Sequence, residues 1–177
     1  QAINKDKISE FEKLKNKSLI LVGFSGGFRR SELVALLIED LEFVEEGVKI
    51  LIRRSKTDQS GVGFVKGIPY FTNPEYCPVI NLKNYINKLH INNGKVFNIC
   101  DKSVALKLKK YAMKAGLDFN KYAGHSLRSG FATSTAEMGA EERSIMAMTG
   151  HKSTQMVRRY IKEANLFKNN ALNKIKI

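Results

Sequence analysis

Two cysteines, Cys77 and Cys100, are all that the 177-residue chain contains. They are too few for a disulfide framework and stand in no metal-binding spacing, which fits a reducing, cytosolic compartment. No apolar run reaches the length of a membrane span and no signal peptide opens the chain, so a membrane is not an expected partner. No internal repeat or low-complexity linker divides it. Carboxylates are the other shortage. Asp6, Asp40, Asp58, Asp101 and Asp118 are scattered, without the clustering that two-metal catalysis requires. His90, His125 and His151 have no zinc-like spacing, and no Walker-type glycine loop is present. Neither a metal nor another cofactor is expected.

The same shortage leaves 30 Lys and Arg against 17 Asp and Glu, a net charge of +13. A pI of about 9.8 points to a polyanionic partner, most often nucleic acid. A lysine-rich proteome or a solubilising surface would give the same balance. With 43% apolar residues the chain can bury a sizeable core, and its length suits one domain. It begins with Gln1 rather than Met, so a piece of a longer protein is expected.

The periodicity predicts a helix from Lys5 to Phe24, broken by Ser25-Gly26-Gly27, and a second from Arg29 to Ile38. The period then changes. Leu41 to Val44, Val48 to Ile52 and Gly63 to Tyr70 read as strands, with turn chemistry at Glu45-Glu46-Gly47 and loop chemistry at Thr57 to Gly61. The rest is mainly helical. Pro78 lies near the start of a helix running through His90, and Gly116 closes another that begins at Ser103. Ser126 is placed as the cap of the next helix, which ends at Gly139. Glu141 and Glu142 open one that Gly150 ends, and Ser153 caps a last one carrying Tyr160. The expected fold class is α+β: mainly α-helical, with a small three-stranded antiparallel sheet near the N-terminal third. Residues from Ile161 to Ile177 read as a weakly amphipathic tail.

Several short stretches carry polar chemistry. In Gly124-His125-Ser126-Leu127-Arg128 a helix start brings together backbone N–H groups, an imidazole and a guanidinium. That is either a phosphate pocket or a capped helix with a surface arginine. Gly150-His151 marks the next helix junction, and Tyr160 follows nine residues later; each alone could be a cap or a core residue. Gly27-Phe28-Arg29-Arg30-Ser31-Glu32-Leu33 sets arginine at another helix start, with Glu32 three residues from Arg29 and able to orient its guanidinium. Lys56 stands at the tip of the predicted hairpin, where basic residues commonly meet phosphates.

Arg29, Lys56, His125, Arg128, His151 and Tyr160, in this order and each in its own local context, resemble the tyrosine recombinases, the phage-integrase type of enzyme. The resemblance spans about Leu19 to Tyr160 and includes Cys77-Pro78-Val79 before a helix. It implies that residues 1–177 are a recombinase catalytic domain without the N-terminal DNA-binding domain that family members usually carry. Such a fragment is expected to keep the chemistry and lose affinity. By the same resemblance, Arg29 and Arg128 grip the non-bridging oxygens of the scissile phosphate and Lys56 is the general acid. His125 is the first histidine, His151 holds the second position, Tyr160 is the nucleophile and Glu32 buttresses the site. Arg29 is preferred to Arg30 because it stands two residues before Ser31-Glu32-Leu33.

This chemistry explains the residue types. Attack on an anionic phosphodiester builds further charge on its oxygens, which two arginine forks can neutralise. A tyrosine is mostly protonated at neutral pH and needs a base or a positive field. The leaving 5′-oxygen needs a proton, which Lys56 can deliver. One phosphoester replaces another, so ATP is not required. The implied partners are double-stranded DNA and further copies of the chain in a synaptic tetramer, with the tail of residues 161–177 docking in cis or in trans. The implied setting is the cytoplasm of a bacterial or phage-carrying cell, at the nucleoid. A type I topoisomerase with the same chemistry, or a non-catalytic DNA-binding module on the same fold, are the competing readings.

Overall fold

The computed structural model describes residues 1–55, 63–151 and 153–164. Helix α1 spans Glu10–Ser25 and is started by Ser9, whose hydroxyl accepts from the Glu12 N–H at 3.2 Å. It begins later than the sequence suggests. Residues before Ser9 are drawn instead onto a later helix, where Asp6 accepts from Tyr111 at 3.2 Å and pairs with Lys110 and Lys114. Helix α2, Arg30–Ala35, is likewise shorter than its apolar pattern. Leu36 accepts from the Val96 N–H at 2.9 Å and Leu37 bridges to Lys95, so pairing with a distant segment wins over local helix propensity.

The sheet matches its alternation. Strands β1 (Leu41–Val44), β2 (Gly47–Ile52) and β3 (Phe64–Pro69) are antiparallel in the order β1-β2-β3. Val48, Ile50 and Ile52 of β2 face inward. On β3 the inward positions are Lys66 and Ile68, so one of two fully buried side chains there is a lysine. Helices α3 (Pro78–Leu89), α4 (Asp101–Lys114), α5 (Ser126–Glu137), α6 (Glu142–Thr149) and α7 (Thr154–Ala164) complete the described chain. Among the described residues no helix is long and apolar enough to cross a membrane.

Two apolar cores result. The larger joins Leu19, Val22, Phe28, Leu33, Ile50, Ile68, Leu82, Phe97 and Val104, and so welds α1 and α2 to the sheet, α3 and α4. The smaller consists of Ala132, Ala136, Ile145 and Val157, with Met146, Tyr160 and Ile161 against it. Helix α7 contributes Val157, Tyr160 and Ile161 to this smaller core and packs through them on α5 and α6. The tail expected from Ile161 in fact starts later, because α7 runs on to Ala164 and Ile161 packs on this core. Residues 165–177 lie outside the described residues, and with them the question of how the tail docks.

Candidate active site

The site forms where the sharp turn after α1 meets the starts of α2 and α5. Gly27 turns the chain with φ +55°, and a Cβ there would lie 3.0 Å from Phe131 and 3.1 Å from Thr149. Glycine is thus required both for the angle and for the space. The next residues present Arg29 at the head of α2. Its N–H donates to Glu32 Oε2 at 3.0 Å, one half of a capping box. Its Nη1 donates to Glu32 Oε1 at 2.6 Å and to Ser55 Oγ at 2.8 Å, while Ser55 donates to the same Glu32 oxygen at 2.7 Å. The i,i+3 spacing read in the sequence is therefore a buried clamp. Burial pushes the Glu32 carboxyl up, but the two Arg29 contacts, Lys66 and Ser55 outweigh it and hold it below its ordinary value.

Arg128 rises from the first turn of α5 and is buried. Its Nη1 donates to Gly27 O at 3.2 Å, and its Nη2 is buried with no hydrogen-bond partner among the described residues. Burial, reinforced by the Arg29 charge, pulls its pKa down to about 10, against the attraction of Glu32. His125, not Ser126, is the residue that precedes α5. Ser126 is the first helical residue, and its hydroxyl accepts from the Ala123 N–H at 2.7 Å instead of capping the helix. The His125 ring is exposed one turn before Arg128. Arg30, the rejected alternative to Arg29, packs its guanidinium where a side chain on Gly124 would stand. It thus points to the segment before His125, not to Glu32.

His151 follows Gly150, which ends α6 in the left-handed conformation at φ +63°. The Thr149 hydroxyl donates to Ile145 O at 2.6 Å, and the same oxygen lies 2.8 Å from His151 Nδ1. Its one hydrogen being used, Thr149 must accept from Nδ1–H, which makes Nε2 the unprotonated nitrogen. Burial, then the charges of Arg128, Arg29 and Lys66, lower the His151 pKa to about 4, so the ring is neutral at pH 7. Tyr160 of α7 lies with its ring centroid 6.3 Å from that of His151, at 29°. Arg29, Glu32, Arg128, His151 and Tyr160 are thus brought together from α2, α5, the α6–α7 junction and α7. Lys56 falls outside the described residues. Three residues of the site were not singled out from the sequence: Ser55, Lys66 and Thr149. Only Lys66 left a signal, as a charge in the inward phase of a strand.

A linkage follows from His151. The unfolded chain takes up a proton near pH 6.5, whereas the folded one resists until about pH 4. Stability is therefore expected to fall as pH drops from about 6.5 towards 4, and His151→Gln should flatten that part of the curve in chemical denaturation. Above pH 6.5 the two proteins should run parallel. Glu32 adds an acid loss of its own at lower pH, since its depressed pKa stabilises only where the unfolded carboxyl is ionised.

Among the described residues, three cations, Arg29, Lys66 and Arg128, thus face the carboxylate of Glu32, and one guanidinium nitrogen is left without a partner. Such a site suits an anion with several oxygens. Among the described residues no group of three or more His, Cys, Asp or Glu could hold a metal ion.

Comparison with known proteins agrees with this chemistry. The profile of the Phage integrase family matches residues 1–166. An integrase/recombinase xerD homolog of Selenomonas ruminantium is 47% identical over 174 residues, covering 92% of this chain and 51% of that protein. Tyrosine recombinase XerA of Pyrococcus horikoshii is 27% identical over 170 residues, covering 96% of this chain and 58% of the relative. The chain therefore spans about half the length of the curated relatives it matches. In fold it is similar to the XerH site-specific recombinase in a post-cleavage complex with a palindromic difH substrate (TM-score 0.72, 19% identity, 96% of this chain and 50% of that one). The XerA recombinase structure is also similar (TM-score 0.67, 22% identity, 96% and 64%).

Proposed function

The chain belongs to the phage integrase family, the tyrosine recombinases, and from that premise we propose that it cuts and rejoins DNA strands through a covalent 3′-phosphotyrosine. The observation that carries this reading is the buried Nη2 of Arg128, without a partner among the described residues and set among an excess of positive charge. A folded protein seldom leaves such a group unsatisfied unless a ligand completes it. A phosphodiester supplies the oxygens for both guanidinium forks.

In the reaction, Tyr160 Oη attacks phosphorus and the bond from phosphorus to the 5′-oxygen breaks. The tyrosine proton passes to His125, and Lys56 protonates the leaving oxygen to give a 5′-hydroxyl. Arg29 and Arg128 hold the charge that grows on the non-bridging oxygens, and Glu32 keeps Arg29 aimed. His151 needs one addition to this account. Neutral, with Nε2 bare, it cannot donate to a phosphate oxygen until it takes up a proton. The negative phosphate favours that uptake. Attack by a partner strand's 5′-hydroxyl on the phosphotyrosine reverses the sequence and joins the strands.

The partners proposed with this chemistry are double-stranded DNA and further copies of the protein in a synaptic tetramer, at the nucleoid in the cytoplasm. A duplex nicked just beyond the scissile phosphate, so that the short released fragment bearing the 5′-hydroxyl diffuses away, traps the reaction after one step. The protein should form a DNA adduct that survives denaturation, at the same rate in excess EDTA as without it. Cleavage that stops in EDTA and returns with magnesium would replace this reading with a metal nuclease.

A further inference from the structure

Lysine is almost never fully buried unless it is paired, yet the Lys66 side chain is 0% exposed. Its position on β3 is one that Phe64 and Ile68 flank on the same face, where an apolar residue would pack at no electrostatic penalty. The contacts of the ammonium group show what holds it there. It donates to Gly26 O at 2.7 Å, lies over the Phe28 ring at 4.4 Å and over the Phe64 ring at 5.6 Å, and approaches Glu32 Oε2 at 4.0 Å. Gly26, Phe28 and Glu32 all belong to the short segment that carries Arg29.

One residue further along the turn, Gly27 O accepts from Arg128. Two consecutive carbonyls are therefore held by two cations, one from β3 and one from α5. The turn has no side chain of its own at these two positions to fix it. A Cβ on Gly26 would run into the Phe28 ring, and one on Gly27 into Phe131 and Thr149. Glu32 then links the two ends, with Arg29 on one oxygen and Lys66 nearest the other.

We propose that Lys66 is a positioning residue of the phosphate site, an internal strut that ties β3 to the Gly26–Gly27 turn and so sets where the Arg29 and Arg128 guanidinium groups stand. It rests on the reading of those two arginines as phosphate ligands. The strut also links the arginine pair to β3, the strand that follows the segment containing Lys56. Burial lowers the ammonium pKa to about 7, Arg128 and Arg29 press in the same direction, and Glu32 opposes them.

The test is Lys66→Met in the full chain. Methionine is unbranched and packs well against the Phe28 and Phe64 rings, so the fold should survive. Adduct formation on the nicked duplex should slow about ten- to a hundred-fold, the effect of a misplaced catalytic group. The defect should shrink on a duplex whose scissile phosphate is a methylphosphonate, which has one charged oxygen fewer for the arginines to meet. Equal slowing on both substrates would make Lys66 a packing residue and overturn the proposal, as would no slowing at all. If Lys66→Met does not fold, Lys66→Leu, which fills the same apolar position and donates to nothing, is compared in the same way and judged by the same outcomes. Independently of DNA, the side-chain Nε–H NMR signals of Arg29 and Arg128 should move in the variant. Unmoved signals would overturn the strut. Signals that move in the variant, together with a wild-type protein that forms no adduct, would leave the strut standing and remove the recombinase reading.

Discussion

Arg128→Met is expected to slow covalent cleavage of DNA by about a hundred- to a thousand-fold, the range seen when one preorganised donor to a developing oxyanion is removed. It is also expected to leave the melting temperature unchanged or raise it. The second half follows from the charges. Arg128 is buried beside Arg29 and Lys66, and both burial and the Arg29 charge act against its ionised form. Its hydrogen bond to Gly27 O is long at 3.2 Å, and its second terminal nitrogen has no partner among the described residues. A methionine of similar length gives up that bond and removes a buried, poorly compensated charge. Sites arranged for function commonly trade stability in this way. Thermal melts and single-turnover adduct rates on the same preparation check both halves. A variant that melts well below the parent, with activity lost in proportion, would mean that Arg128 is structural.

Tyr160→Phe is expected to abolish the adduct altogether while DNA binding is retained. The phenylalanine ring keeps the packing on Val157 and its neighbours and the contact with His151. Only the attacking oxygen is lost. The other tyrosines offer no substitute of equal standing. Tyr85 and Tyr111 are buried in the body of the domain, and burial pushes both hydroxyls up to about 12. Tyr70 and Tyr76 are exposed, Tyr76 beneath Lys17, and Tyr122 is half-buried in the segment before α5 rather than on the helix that carries Tyr160 against His151. A denaturation-resistant adduct persisting in Tyr160→Phe would transfer the nucleophile to another residue. Filter binding at equal protein concentration separates lost chemistry from lost affinity.

Much of this arrangement could be read from the residues because it is local. The Arg29–Glu32 clamp is an i,i+3 pair at a helix start, and Arg128 is carried by the opening turn of α5. Gly150 ends α6 where the sequence set the end of that helix. The strands followed from alternation, and β1 is bounded as its pattern implied. What could not be read is non-local. Ser55 and Thr149 matter only because folding sets their hydroxyls against Glu32 and His151. Lys66 matters because α1 ends beneath β3. The Ser126 cap was misplaced by one residue, since its hydroxyl serves Ala123 ahead of the helix. Helix α2 stops short of its apolar pattern because Leu36 pairs with Val96, sixty residues away in the chain. Membership in the phage integrase family ties these pieces to one chemistry, while Lys56 and residues 165–177 lie outside the described residues.

The most direct test of that chemistry is to find the bond itself. The adduct trapped on a nicked duplex labelled at its 5′ end is digested with protease, and the peptide left on the DNA is sequenced by mass spectrometry. The account predicts one modified peptide, containing Tyr160, joined through its phenolic oxygen to a 3′-phosphate, with a free 5′-hydroxyl on the released strand. A label on any other residue, a 5′-phosphate linkage, or cleaved DNA carrying no peptide would contradict it.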